Sequence, residues 1–292
     1  MGSGRLVVAS LVGVLAVACA GPSSPADTGR AKRLDYVAVG DSFAAAPGVP
    51  DPALPAGCRK STNGYPSILA RQLNATSFVN VTCSGATTED ITGRVQQTKD
   101  GPAARQIDAV DASADLITVT IGANDVGLPS DAEGCAVKSA DPPPCTDEFV
   151  VGNVDRISQL IAAQLPVWSA LIDQLRVTAP HARIVVVGYG TFVRPGGCFP
   201  AQPVLPRDAD YLQSKLNELD DLQQQLAGKK AIDYFDTRLI SQGHDICAAP
   251  SDRYIEGFVT TRPAVRLHPN AFGVAAVGNA LAGYLGKSGK RD

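Results

Sequence analysis

The sequence predicts an α/β domain built on a central parallel sheet of about five strands, and two features carry that reading. Five short β-branched or apolar runs recur along the 292 residues, and stretches of helical character separate them. Strand, helix and strand in succession fold as right-handed crossovers, which align the strands in parallel. With 45% hydrophobic residues the chain can bury a core of the size this needs.

Taken in order, the run Leu34 to Val39 opens the sheet and Tyr65 to Leu73 forms the first helix. Phe78 to Thr82 and Leu116 to Ile121 are the second and third strands. A long helix over Asn153 to Thr178, with Pro166 inside it, leads to the fourth strand, Arg183 to Val187. Asp208 to Leu226 is helical and precedes the fifth strand, Ala231 to Phe235. A last helix over Asn270 to Leu285 closes the domain, with Asn270 placed as its N-cap. Most of these strands lack polar alternation, as strands buried on both faces do.

The N-terminus reads as an export signal: a positive start at Arg5, an apolar run from Leu6 to Ala18, then small residues. That run is shorter than the roughly 20 apolar residues a membrane span needs. Leu15-Ala16-Val17-Ala18-Cys19 also resembles a bacterial lipobox, in which the cysteine is acylated and becomes the mature N-terminus. A lone cysteine at this place is otherwise a reactive liability in an oxidising compartment, so we read Cys19 as lipidated and able to anchor the protein to a membrane. Residues 1–18 are then the signal, 19–33 a flexible tether, and 34–292 the folded domain. Six of the seven cysteines remain, an even number in an exported chain, and disulfides are expected. Spacing alone leaves their pairing open. A net charge of −3, with basic residues scattered apart from Arg30-Ala31-Lys32-Arg33, argues against a nucleic-acid partner.

In a parallel sheet the C-terminal strand ends share one edge, where open α/β sheets bind their ligands. Gly40-Asp41-Ser42 follows the first strand, Cys83-Ser84-Gly85-Ala86-Thr87 the second, and Gly122-Ala123-Asn124-Asp125 the third. Acyl transfer needs a nucleophile, a base and donors for an oxyanion. Ser42 can supply the first; its own N–H, that of Gly85 and the carboxamide of Asn124 can supply the last. Three histidines are candidates for the base. His181 precedes the fourth strand and belongs to the opposite edge. His244 follows the fifth strand beside Asp245, and adjacent residues seldom orient each other. His268 sits in a rigid turn before the last helix, fixed by Pro269, and is the better choice.

The motifs GDSF, CSGAT, GAND and LHPN, in that order, resemble the SGNH or GDSL hydrolases, serine esterases and lipases on a three-layer, flavodoxin-like sheet. The resemblance spans nearly all of residues 34–286, and the signal with six further cysteines looks like the secreted actinobacterial branch. It implies Ser42 as nucleophile, His268 as base and then acid, Ser42, Gly85 and Asn124 as the oxyanion hole, and water to resolve the acyl-enzyme. Asp41 and Asp125 brace their loops. Two departures from the family pattern stand out. Phe43 replaces the common Leu, and Val265 and Arg266 stand where many members carry the acid that orients the histidine. Glu256 is the nearest upstream acid. We expect the backbone carbonyl of Val265 to orient His268 instead. Sequential disulfides, Cys58 with Cys83, Cys135 with Cys145 and Cys198 with Cys247, are expected because each joins loops at one edge of the sheet.

The implied reaction needs no cofactor and no metal, and no HExxH motif occurs. The expected partner is a small-molecule or lipid ester, and the expected state a monomer. The Pro-rich loops PGVPDPALPAGC and RPGGCFPAQPVLPR are expected to line the cleft, with apolar contacts from Val49, Leu54, Phe199, Val204 and Leu205. Two rivals stand beside the esterase: a non-catalytic binding lipoprotein, and a transferase or glycan O-deacylase on the same site. An α/β-hydrolase is disfavoured because Ala44 breaks the Gly-x-Ser-x-Gly spacing, and GDSFAAAP lacks the glycines of a nucleotide cradle.

Overall fold

The computed structural model describes residues 1–4, 6 and 33–288, and the chain divides into two units after Lys32. Cys19, residues 7–18 of the expected signal and residues 20–32 of the expected tether lie outside the described residues. In the second unit five strands form one parallel sheet: β1 (Asp35–Gly40), β2 (Ser77–Asn80), β3 (Leu116–Thr120), β4 (Arg183–Val187) and β5 (Asp233–Phe235). Their order across the sheet is β2-β1-β3-β4-β5, with Val37 registered against both Val79 and Ile117. Strand order reverses direction between β1 and β3, so their connections leave to opposite sides and open a crevice at the C-terminal ends.

Four long helices complete three layers: α1 (Tyr65–Gln72), α2 (Arg156–Thr178), α3 (Pro206–Lys229) and α4 (Ala271–Ser288). Successive β1 residues point to opposite faces, as extended backbone requires. Tyr36 and Ala38 pack with Leu69 of α1 and Leu281 of α4, while Val37 and Val39 share a core with Leu171 and Leu175 of α2. Caps set the ends. Asp155 accepts the Ser158 N–H at 3.0 Å to start α2, and Asn270 accepts from Phe272 and Gly273 to start α4, as expected for an N-cap. Pro166 stays within α2; it and Ala162, whose carbonyl it frees, both lie on the exposed side.

Boundaries differ from the sequence reading where backbone chemistry intervenes. Asn80 accepts from both N and Oγ1 of Thr82, and this turn ends β2 early. Ala231 adopts φ +48, so β5 begins two residues later than its apolar run. As an edge strand, β2 is exposed or half-buried throughout and departs from the buried-strand expectation. Three two-stranded ribbons were not foreseen, and one of them carries His268: Ile255–Glu256 pairs antiparallel with His268–Pro269. Among the described residues three disulfides are present, Cys58–Cys83, Cys135–Cys145 and Cys198–Cys247, in the sequential order expected.

Candidate active site

Ser42 begins a one-turn helix, Ser42–Ala45, straight out of β1. Gly40 makes that exit: at φ +147, a Cβ there would lie 2.4 Å from the Thr120 carbonyl oxygen of β3. The buried Gln106 side chain clamps Gly40, taking its N–H at 2.6 Å and donating to its carbonyl at 2.9 Å. Asp41 caps the short helix by accepting the Phe43 N–H at 2.9 Å. The first N–H groups of any helix lack an intrahelical partner, so the Ser42 N–H is available to a developing oxyanion. Ser42 itself is 8% exposed and lines the cavity described below.

The second loop is held by covalent and polar contacts together. The Cys58–Cys83 disulfide and the Ser84 N–H to Cys58 carbonyl bond at 3.0 Å fix its start. Gly85 follows at φ +79, with only Gln96 Nε2 near where a Cβ would sit, so conformation rather than crowding demands glycine. In the third loop Asn124 Nδ2 donates to the Ala86 carbonyl at 2.9 Å, which orients the carboxamide and leaves its second N–H. Asp125 accepts from both N and Oγ1 of Thr88 and ties that loop to the second.

Beneath these loops lies a network that sequence reasoning missed. Tyr189 Oη donates its hydrogen to Asp41 Oδ2 at 2.5 Å and accepts the Ala123 N–H at 3.1 Å, so one phenol links the Ser42 turn to the Asn124 loop. Burial pushes the Asp41 carboxyl up to about 7, against the lowering effect of its bonds from Tyr189 and Phe43. The clue was positional: Tyr189 follows β4 as the other site residues follow β1 and β3.

His268 lines the same cavity as Ser42. Its Nδ1–H donates to the Arg266 carbonyl at 2.8 Å, which leaves Nε2 as the basic nitrogen. The expected Val265 carbonyl is therefore the wrong one. Leu267 adopts φ +61 and folds the chain back, bringing the carbonyl two residues upstream to the ring, while the Val265 N–H is tied to Pro47 O. Burial lowers the His268 pKa from its ordinary 6.5, partly offset by that carbonyl. The acids upstream are engaged elsewhere. Glu256 holds Asn270 Nδ2 and the Thr261 N–H, Asp245 holds Arg194, and Asp236 holds Arg238. Asp252 offers its carbonyl to His244, whose ring stacks on Tyr254 at 3.8 Å. Among the described residues no carboxylate hydrogen-bonds to His268. His181 is exposed at the N-terminal end of β4.

The cavity encloses about 850 Å³ of space including its mouth. Leu128, Val193, Leu212, Leu216, Ile246 and Phe258 form much of its wall. Of the five apolar residues expected from the Pro-rich loops, only Val204 lines it. Val49 packs in the layer of α1 and α4, Leu54 is 82% exposed, and Leu205 and the half-buried Phe199 lie outside the lining. Cavity walls come from helix faces meeting across the sheet, a placement loop composition does not report.

Comparison with known proteins agrees with this geometry. A profile of the GDSL-like lipase/acylhydrolase family matches residues 38–276. Lipase 2 of Streptomyces coelicolor is 33% identical over 295 residues, covering 94% of this chain and 94% of that protein. A lipase of Streptomyces rimosus is 27% identical, covering 80% and 81%. Crystal structures of a phospholipase A1 from Streptomyces albidoflavus NA297 and of an extracellular lipase from Streptomyces rimosus share the fold, each with a TM-score of 0.71. Their identities are 24% and 23%, and each match covers 85% of this chain and 99% of the other. Since the profile runs from β1 through the His268 turn, and a relative one-third identical aligns along nearly the whole length, the chain belongs to the GDSL-like lipase/acylhydrolase family and is a carboxylic ester hydrolase.

Proposed function

We propose that this hydrolase is an exported lipase or esterase that cleaves acyl-chain esters through an acyl-enzyme on Ser42. One observation carries the reading: Ser42, Asn124 and His268 open together onto a largely apolar cavity, suited to an acyl chain with its ester carbonyl at the polar end. Ser42 Oγ attacks the carbonyl carbon while His268 Nε2 takes its proton. The oxyanion accepts hydrogen bonds from the Ser42 N–H, the Gly85 N–H and Asn124 Nδ2. Collapse breaks the ester C–O bond, and the imidazolium hands its proton to the leaving alkoxide. Water, deprotonated by the same nitrogen, then releases the acid and restores Ser42. His268 works in a dyad, its tautomer held by the Arg266 carbonyl.

The extracellular lipase among the structural relatives and the three disulfides of this chain support export. Acylation of Cys19 is part of the proposal, and intact mass of the mature protein checks it. The activity is tested with p-nitrophenyl esters of rising chain length and with a fluorophosphonate probe. Ser42→Ala should abolish both turnover and labelling, His268→Ala should lose nearly all turnover, and Asn124→Ala should lower kcat by roughly 10²- to 10³-fold. Alanine at Asp236, Asp245 or Asp252 should cost less than about an order of magnitude. Near-normal turnover by folded Ser42→Ala, or a loss at one of those acids equal to that of His268→Ala, would overturn the Ser42-His268 dyad.

A further inference from the structure

Tyr189 stands just past the end of β4, yet its hydroxyl meets a turn that leaves β1, and β3 lies between those two strands. Neighbouring strands run about 4.8 Å apart, so the Tyr189 and Asp41 side chains have roughly 10 Å to span between them. A phenol is long and rigid enough to cross the end of β3. On the way its oxygen accepts the Ala123 N–H at 3.1 Å, while its hydrogen goes to Asp41 Oδ2 at 2.5 Å. Among the described residues no other side chain hydrogen-bonds to both segments, 41–46 and 121–127.

Each end of this bridge adjoins a group assigned to the oxyanion. Asp41 directly precedes Ser42 and caps its turn with the other carboxylate oxygen, which accepts the Phe43 N–H. Ala123 directly precedes Asn124, whose carboxamide is oriented by Ala86 O. Other supports act on one segment at a time: Gln106 clamps Gly40, and Gln223 Nε2 donates to Ile121 O at 2.6 Å. The Asp41 N–H also bonds Thr120 O at 2.8 Å, but that bond joins the strand ends and reaches nothing beyond Thr120. Tyr189 is itself anchored. Its N–H and that of Gly190 donate to the two carboxylate oxygens of buried Asp220 on α3, and its ring packs edge-on against Phe43.

Donors stabilise a tetrahedral oxyanion only when each stands about 3 Å from the one place where the charge develops. We propose that Tyr189 is a positioning residue for ester hydrolysis, its hydroxyl setting the spacing between the Ser42 N–H and the Asn124 carboxamide; this rests on the oxyanion roles given to Ser42 and Asn124 above. The hydroxyl acts through Asp41 and Ala123, while the ring forms part of the cavity wall. Tyr189→Phe removes one oxygen atom and keeps the ring, so it separates spacing from apolar contact with the acyl chain.

Steady-state kinetics on one p-nitrophenyl ester test it. Tyr189→Phe should lower kcat by roughly 10- to 10²-fold, the cost of a small misplacement, and leave KM within about twofold because the apolar wall is intact. Replacing Tyr189 by 4-aminophenylalanine keeps a donor for Asp41 and weakens the acceptor for Ala123, so kcat should fall between wild type and Tyr189→Phe. That protein also carries the test if Tyr189→Phe does not fold. In an Asn124→Ala background, Tyr189→Phe should cost no more than about threefold, since a spacing has no effect once one of its two donors is gone. A merely structural role would give no such coupling. Additive losses, a rise in KM instead of a fall in kcat, or unchanged kcat in either folded Tyr189 variant overturn the proposal. Near-normal kcat in Asn124→Ala alone overturns the oxyanion assignment beneath it, so the two failures are distinct.

Discussion

Asp41 shows what a single buried carboxylate contributes beside Ser42. It caps the Ser42 turn, receives Tyr189 Oη–H and lies 1% exposed, and burial pushes its pKa from 3.8 to about 7. Over that window the folded protein keeps a proton that the unfolded chain releases near 3.8. The folded state therefore binds more protons, and this group's contribution to stability declines as pH rises from about 4 to about 7. Asp41→Asn removes the titration. The stability of the variant relative to wild type should therefore rise across that window, by up to a few kcal/mol. Urea denaturation at a series of pH values checks this, and a difference that stays constant with pH would mean that Asp41 has the same pKa in both states. The four motif residues Ser42, Gly85, Asn124 and His268 could be named as candidates from the sequence because each sits in a local pattern at a chain turn. Tyr189 could not, because its role depends on reaching Asp41 and Ala123 across the sheet edge.

Among the elements, the short helix after β1 places both Ser42 and Phe43 at the cavity wall. Phe43 packs edge-on against Tyr189, with ring centroids 4.9 Å apart. The two rings also line a second, smaller cavity with Tyr65, Val187, Ile240 and Val277, so they partition the acyl site from apolar space behind it. Phe43→Ala should open that partition and move the chain-length optimum toward longer acyl esters. Ile240→Phe added to Phe43→Ala should restore the original optimum by filling the opened space. A p-nitrophenyl ester series reads both, and an unchanged optimum in the single variant would show that the two spaces stay separate. A further constraint lies just past the end of β3. Gly122 at φ +128 would place a Cβ 2.8 Å from Gln223 Nε2 and 3.0 Å from the Trp168 ring, so the Asn124 loop leaves the sheet only through glycine.

At the scale of the whole molecule, the three disulfides secure the loops that leave the C-terminal ends of the strands. They close loops with sequence separations of 25, 10 and 49 residues. On the loop-entropy model each stabilises by roughly 3 to 4 kcal/mol. The sheet has its own cores on both faces, independent of most of these bridges. Reduction should therefore raise amide exchange first in the segments around Cys58, Ser84 and Gln202 and lower activity, while β1 and β3 stay protected. Simultaneous loss of protection in sheet and rim on reduction would mean that the bridges hold the fold together as one unit.

The parallel sheet and the candidate residues at its strand ends were written in local chemistry: apolar runs long enough to be strands, each followed by small residues that let backbone approach a ligand. Edge exposure, strand ends and the histidine's partner were decided by tertiary structure. Nothing about a leucine signals a left-handed backbone, yet φ +61 at Leu267 is what gives His268 the Arg266 carbonyl instead of that of Val265. Glu256 is adjacent to His268 in the ribbon register, but its carboxylate holds Asn270 and Thr261. The cavity joins Leu128, Leu216, Ile246 and Phe258, which are far apart in sequence and meet only when α3 and the C-terminal loops close over the strand ends. Periodicity and motif spacing report on neighbours along the chain, whereas a cavity wall depends on which surfaces the packed layers bring face to face.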